Sequence, residues 1–272
     1  MDPEPYEVYA VRYATAVRRS TDIYIGGDAH DAPVPMDYFI WLARNRQHTV
    51  VIDTGFDQAA ATRRGRQLLR SPGDGLRMLG VSPEEVAHVV ITHLHYDHAG
   101  NLALFPRARF HLQDSEMAYA TGRYMSVPFF AYAYELDDVV AMVRLAYAGR
   151  IEFHEGTGEV VPGITVHHIG GHTRGLQAVR VLTRLGWVVL ASDAAHYLDN
   201  MISGRPFPIV ADVTQMFQGW QTLRRLASAE RHIVPGHDPL VMQRYRAPEP
   251  HLDGVAVRLD EEPQQDNTHN TR

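Results

Sequence analysis

Apolar positions in this chain fall into short runs broken by polar, glycine-containing turns, a pattern of strands more than of long helices. Residues 6–13 (YEVYAVRY) and 38–43 (YFIWLA) are predicted strands, and the second pairs with residues 49–52 across the polar turn 44–48. Residues 26–35 between them read as a loop. Further strand-like runs are 87–92 (AHVVIT), 164–169 (ITVHHI), 186–193 (GWVVLASD) and 233–235 (IVP). The run from Gly186 is almost continuously apolar, as a strand buried on both faces requires. Helical signals alternate with these. Residues 136–147 are amphipathic, and Ser82, Pro83, Glu84 and Glu85 open a helix by cap, proline and acidic first turn. Residues 59–69 are helix formers with arginines at 63, 64, 66 and 70, a solvated helical face. Strands alternating with helices predict a layered α/β fold.

Chemistry concentrates where the run 87–92 ends. Residues 92–100, THLHYDHAG, bring His93, His95, Asp97 and His98 together on the loop leaving a buried strand. Imidazole and carboxylate suit borderline cations such as Zn²⁺, and the chain has no cysteine to offer thiolate. His93 and His95, two apart, can face one ion from an extended backbone, whereas Asp97 and His98 follow a turn and suit a second. Each ion is then short of ligands. Three later positions can complete the shells: His172 in IGGHTRG, Asp193 at the end of its apolar run, and His237 in IVPGHD. Taken singly these also read as a capping Asp or a hydrogen-bonded loop His, but jointly they supply what two metals demand.

The order and type of these residues resemble the metallo-β-lactamase superfamily, whose signature is His-x-His-x-Asp-His followed by separate His, Asp and His ligands. THLHYDHAGN, GGHTRG, SDA and PGHD are most similar to N-acyl homoserine lactone lactonases and related lactonases, over roughly residues 6–246. The resemblance implies an αββα sandwich of two mixed β-sheets with helices on the outer faces. It implies one metal held by His93, His95 and His172, another by Asp97, His98 and His237, and Asp193 bridging them. It also places Asp53, in VVIDTG, as a partner orienting a ligand histidine, against the simpler reading of a turn aspartate. The chain departs from the look-alikes at Arg174 and Leu176, and more consequentially at His196, where lactonases carry a tyrosine three residues after the bridging aspartate. Tyr197 follows one place later. The expectation is that His196 stabilises the developing oxyanion and Tyr197 turns away, with the reverse assignment open.

Length and composition agree with a single metallo-hydrolase domain over residues 1–258 and a polar, disordered tail over 259–272. A net charge of −6 gives no basic footprint for nucleic acid, and no apolar run approaches a membrane span or a signal h-region. The expectation is therefore a cytoplasmic protein whose partner is a small lactone, with a homodimer left open. The insert 117–134 is dense in aromatics and Met without clear periodicity and contains Pro128, which suits a lid or pocket wall. Met125, Phe129 and Phe130 there, and Phe207 in 200–208 as an opposite wall, are the expected substrate-binding residues. The function implied is a dinuclear hydrolase with two Zn²⁺ (Fe, Mn or Co fitting the same ligands) that opens a lactone by attack of a metal-bridging hydroxide, with Asp97 shuttling the proton. The alternatives are a glyoxalase II-like thioester hydrolase, for which only 35 residues follow His237, and a non-catalytic metal-stabilised binding protein.

Overall fold

The computed structural model describes residues 3–28 and 31–264. Among them the strands are β1 (Glu7–Arg19), β2 (Pro33–Arg44), β3 (Thr49–Ile52), β4 (Gln67–Leu68), β5 (His88–Val90), β6 (Arg109–Gln113) and β7 (Ile151–His154). The second half of the chain adds β8 (Thr157–Val161), β9 (Ile164–His168), β10 (Gln177–Thr183), β11 (Gly186–Ser192), β12 (Ile233–Pro235) and β13 (Ala256–Arg258). One sheet runs β13-β1-β2-β3-β5-β6-β7 with β4 on β1, and the other β12-β11-β10-β9-β8. Both are mixed: β3, β5, β6 and β7 are parallel, as are β11 and β12, while the remaining pairs are antiparallel.

Alternation along the strands explains the layering. On β3, Val50 and Ile52 enter the core between the sheets and Val51 the core under the outer helices; on β11, Val188 and Leu190 face inward and Val189 and Ala191 outward. The outer layer over the first sheet includes Met142 of the helix Leu136–Tyr147. Trp220 and Leu223 of the helix Val213–Leu226 cover the second. The αββα sandwich is thus the observed architecture. At one edge of the inter-sheet face, valines give way to a row of imidazoles, His88, His111 and His154, on β5, β6 and β7.

Several expectations move. The loop 26–35 is shorter, because Pro33–Pro35 pairs with Val17–Arg19 and extends both long strands. The arginine-rich helix stops at Arg64, capped by Gly65 with φ 61°. Arg64 instead binds Glu135 and the Tyr132 carbonyl, so this is not merely a solvated face. Order also persists past residue 258: Leu259 donates its N–H to Val8 and is 1% exposed, and Asp260 accepts from Val8 N and Arg258. The expected tail boundary therefore falls too early, and residues 265–272 lie outside the described residues. Among the described residues no helix is long and apolar enough to cross a membrane.

Candidate metal centre

Five strand ends deliver the chemistry to one rim. Asp53 follows β3, the His93–His98 loop follows β5, His172 follows β9, Asp193 follows β11 and His237 follows β12. Asp53, His93, His95, Asp97, His98, His172, Asp193 and His237 are all buried. Asp53 and Ser192 adopt φ of 62° and 47°, the only non-glycine residues with positive φ among those described, so backbone strain is stored beside the site.

Two sets of ligand atoms converge. In the first, His93 Nε2, His95 Nδ1 and His172 Nε2 lie 2.9–3.2 Å apart. Nitrogens bound tetrahedrally to a zinc-sized ion at about 2.0–2.1 Å are separated by about 3.3 Å, so little rearrangement would be needed. In the second, Asp97 Oδ2 lies 3.6 Å from His237 Nε2 and 3.8 Å from His98 Nε2. Asp193 stands between the sets. Its Oδ2 is 3.3 Å from His172 Nε2, and its Oδ1 is 3.1 Å from His237 Nε2 and 3.3 Å from His98 Nε2. At Gly236 a Cβ would lie 2.7 Å from Asp193 Oδ1, so only glycine lets the His237 loop approach this closely.

The donor set fits cations for a reason visible in the hydrogen bonds. His98 gives Nδ1–H to Asp53 at 2.7 Å, His172 to the Ile209 carbonyl at 2.6 Å and His237 to the Asp37 carbonyl at 2.9 Å. Each neutral ring therefore turns a lone pair, not a proton, toward the centre. His98 Nε2 and Asp193 Oδ1 are buried without a hydrogen-bond partner, two electron-rich atoms left facing each other. Burial pushes His93 and His95 well below the usual imidazole range and His172 to about 4. Burial also opposes protonation of His98 and His237, but Asp193 and its neighbouring carboxylates outweigh it and raise both.

Asp53 ties the centre to the scaffold. It accepts from Thr92 N, Thr92 Oγ1 and His98 Nδ1 at 2.7–2.8 Å. His196 lies against the centre and Tyr197 does not. His196 Nε2 is 3.0 Å from Asp193 Oδ2, and its ring stacks on Phe207 with centroids 3.6 Å apart. Asp193 is held ionised by His237, His98 and His196 despite its burial, so Nε2 must be the donor. A neutral imidazole has one N–H, so this geometry leaves none for a substrate oxyanion. The Tyr197 hydroxyl donates to the Pro35 carbonyl at 3.0 Å, and its ring joins the helix-side core. Tyr197 thus turns away as expected, which removes the ground for the reverse assignment of Tyr197 as the catalytic group, and the expectation corrected is His196 as the oxyanion donor.

A cavity of about 360 Å³ opens beside His95 and His172, walled by Tyr119, Phe129, Phe130 and Tyr132 on one side and by Pro208, Ile209, Val210 and Ala211 on the other. Phe129 and Phe130 lie where the insert predicts. Met125 packs against the core and Phe207 is fully buried behind His196 and His172, so neither lines the cavity. The opposite wall is the next stretch of chain, 208–211. A narrower cleft reaches Asp97, Asp193 and His237 from the other side, past Arg18, Tyr38 and Arg66. Arg66, Tyr38 and the buried Glu116 escaped sequence reasoning because each resembles ordinary surface, strand or helix-start chemistry.

Residues 34–237 match the family model of the metallo-beta-lactamase superfamily. Among curated proteins, the chain is 26% identical over 228 residues to an N-acyl homoserine lactonase of a Bacillus species, covering 78% of this chain and 84% of that one. It is 27% identical over 247 residues to the N-acyl homoserine lactonase AttM of Agrobacterium fabrum, covering 82% and 89%. A solved quorum-quenching N-acyl homoserine lactone lactonase superposes with a TM-score of 0.74 at 21% identity, over 88% of this chain and 95% of that one. A dizinc quorum-quenching lactonase in complex with a product does so with a TM-score of 0.68 at 14% identity, over 88% and 90%. At these identities the solved structures establish the fold.

Proposed function

This chain belongs to the metallo-β-lactamase superfamily, and from that premise we propose that it is a metal-dependent hydrolase opening lactones that carry an apolar acyl chain. The carrying observation is the aromatic cavity opening onto His95 and His172. It offers an acyl chain a dry wall directly beside the converging imidazoles, and the curated relatives are N-acyl homoserine lactonases. His93, His95 and His172 would hold one ion, Asp97, His98 and His237 another, and Asp193 would share its two oxygens between them. Zinc is the default for this nitrogen and oxygen set. Two such ions supply an activated water at neutral pH and polarise an ester carbonyl.

The protein's own groups do the rest. Phe129, Phe130 and Ile209 bind the acyl chain and exclude water. Asp97 turns Oδ2 to the histidines, leaving Oδ1 to take a proton from the attacking water and return it to the leaving alkoxide. His196 orients Asp193 through Nε2, and Phe207 fixes the plane of that imidazole.

The test is a pH-indicator assay of metal-loaded protein against acyl homoserine lactones, simple γ-lactones, glutathione thioesters and β-lactams, with metal content measured in parallel. We expect close to two ions in the native chain and about one in His237→Ala, fastest turnover on acylated lactones, and loss of activity on chelation. Glutathione thioesters turned over faster than every lactone would transfer the assignment to thioester hydrolysis.

A further inference from the structure

Glu116 takes no part in the chemistry above, yet it is 0% exposed and touches both loops of the first ligand set. It lies in the first turn of the helix Asp114–Ala120, which begins where β6 ends. Its Oε1 accepts from Leu94 N at 3.0 Å, the residue between His93 and His95, and from the Tyr134 hydroxyl at 2.9 Å. Its Oε2 accepts from Thr173 Oγ1 at 2.6 Å and Gly175 N at 3.0 Å, just beyond His172. Tyr134 in turn sets its ring edge-on to His95, centroids 4.5 Å apart, and belongs to the cavity-side insert. The fit is close enough that a Cβ on Gly175 would fall 2.1 Å from Glu116 N. No cation pairs with this carboxylate among the described residues. Four neutral donors converge on it instead, and a buried carboxylate held this way joins its donors rigidly.

We propose that Glu116 is a positioning residue for the first metal set: its carboxylate fixes the spacing between the His93–His95 loop and the His172 loop, and so sets the affinity of those three imidazoles for a divalent cation. The physical basis is the narrow tolerance of coordination. The ligand nitrogens sit on two segments 77 residues apart. Gln177 N donates to Thr92 O at 3.0 Å where the two segments leave their strands, and further out, beside the imidazoles themselves, Glu116 makes the bridge between 94 and 173–175. Glu116→Gln keeps the shape but presents an NH₂ group to two of the four donors, whichever way the amide turns. The two loops should then part or tilt at the side of the lost bonds. Residues that orient ligands in this way typically change metal affinity about 10–100-fold.

The inference rests on His93, His95 and His172 being a metal set, and the experiment separates the two ideas. Zinc affinity is measured by chelator competition in two backgrounds: His237→Ala, which retains the first set, and His172→Ala, which retains the second. Glu116→Gln should weaken zinc about 10–100-fold in the His237→Ala background and leave it within about twofold in the His172→Ala background. Equal losses in both backgrounds, or none in the first, would overturn the positioning role. If His172→Ala itself binds as many ions as the native chain, the underlying ligand assignment fails instead. Should Glu116→Gln not fold, Thr173→Val and Tyr134→Phe each remove one donor. Each should weaken the first set alone by roughly 3–10-fold, about the value of one hydrogen bond, and unchanged affinity in both would equally refute the proposal.

Discussion

His111 is the middle of three imidazoles laid across parallel strands. His88 Nδ1 and His111 Nε2 are 3.1 Å apart, as are His111 Nδ1 and His154 Nε2. Neutral rings satisfy such a row, each passing one N–H to the next, whereas a proton added to the middle ring has no acceptor left to gain. Burial first, then the facing His154, His88 and Arg109, push His111 down to about 3, and burial lowers both neighbours. The folded value lies below the ordinary 6.5, so this stabilisation is complete above pH 6.5 and is lost as the pH falls toward 3. At about 1.4 kcal/mol per pH unit, His111 alone should cost the fold about 2–3 kcal/mol by about pH 4.5. The comparison is urea unfolding of metal-free native protein and His111→Gln, which share all other histidines. Near neutrality the variant should be less stable by about 1 kcal/mol, from the broken row. At about pH 4.5 the native chain should have lost about 2–3 kcal/mol more than the variant, reversing their order. A stability difference that stays constant between the two pH values would refute the reasoning.

Two further outcomes test the cavity and the centre. Phe129→Ala removes a ring at the cavity rim and should raise KM for long-chain acyl lactones about 10-fold, with little change for unsubstituted γ-lactones. An equal effect on both substrates would show that the ring does not meet the chain. His196→Ala should lower kcat, because Asp193 loses its orienting donor, whereas Tyr197→Phe should leave kcat unchanged and cost about 1 kcal/mol of stability for the lost bond to Pro35. A fall in kcat only in Tyr197→Phe reverses the two roles.

The layers were legible because strand patterns report burial directly. The run 186–193 announced a strand covered on both faces, and Val188, Val189, Leu190 and Ala191 do alternate between two cores. The helix Leu136–Tyr147 has the bounds its periodicity predicts. Local patterns fail where a distant segment decides. Pro33–Pro35 reads as loop until Val17–Arg19 pairs with it, and Leu259 reads as tail until β1 offers the Val8 carbonyl. The candidate ligands were readable as residue types at characteristic spacings, and the structure brings all seven together. Tyr197 turns away as expected, but the oxyanion role expected of His196 depends on which partner its one N–H meets, and Asp193 takes it, which no pattern in the sequence displays. Met125 and Phe207 were misjudged because composition cannot tell a pocket wall from the layer behind it. Glu116 had no local signal, since its four donors come from positions 94, 134, 173 and 175.

The centre draws its side chains from the ends of both sheets, Asp97 and His98 following β5 and His237 following β12. In a chain without cysteine, coordination there would clamp the two sheets together, a part that disulfides play elsewhere. An ion bound only by the folded chain, at a free concentration about 100 times its Kd, stabilises that fold by about 2.7 kcal/mol. Metal supply would then govern how long the molecule survives as well as how fast it works, and protein stripped of ions should be digested by protease sooner than metal-loaded protein.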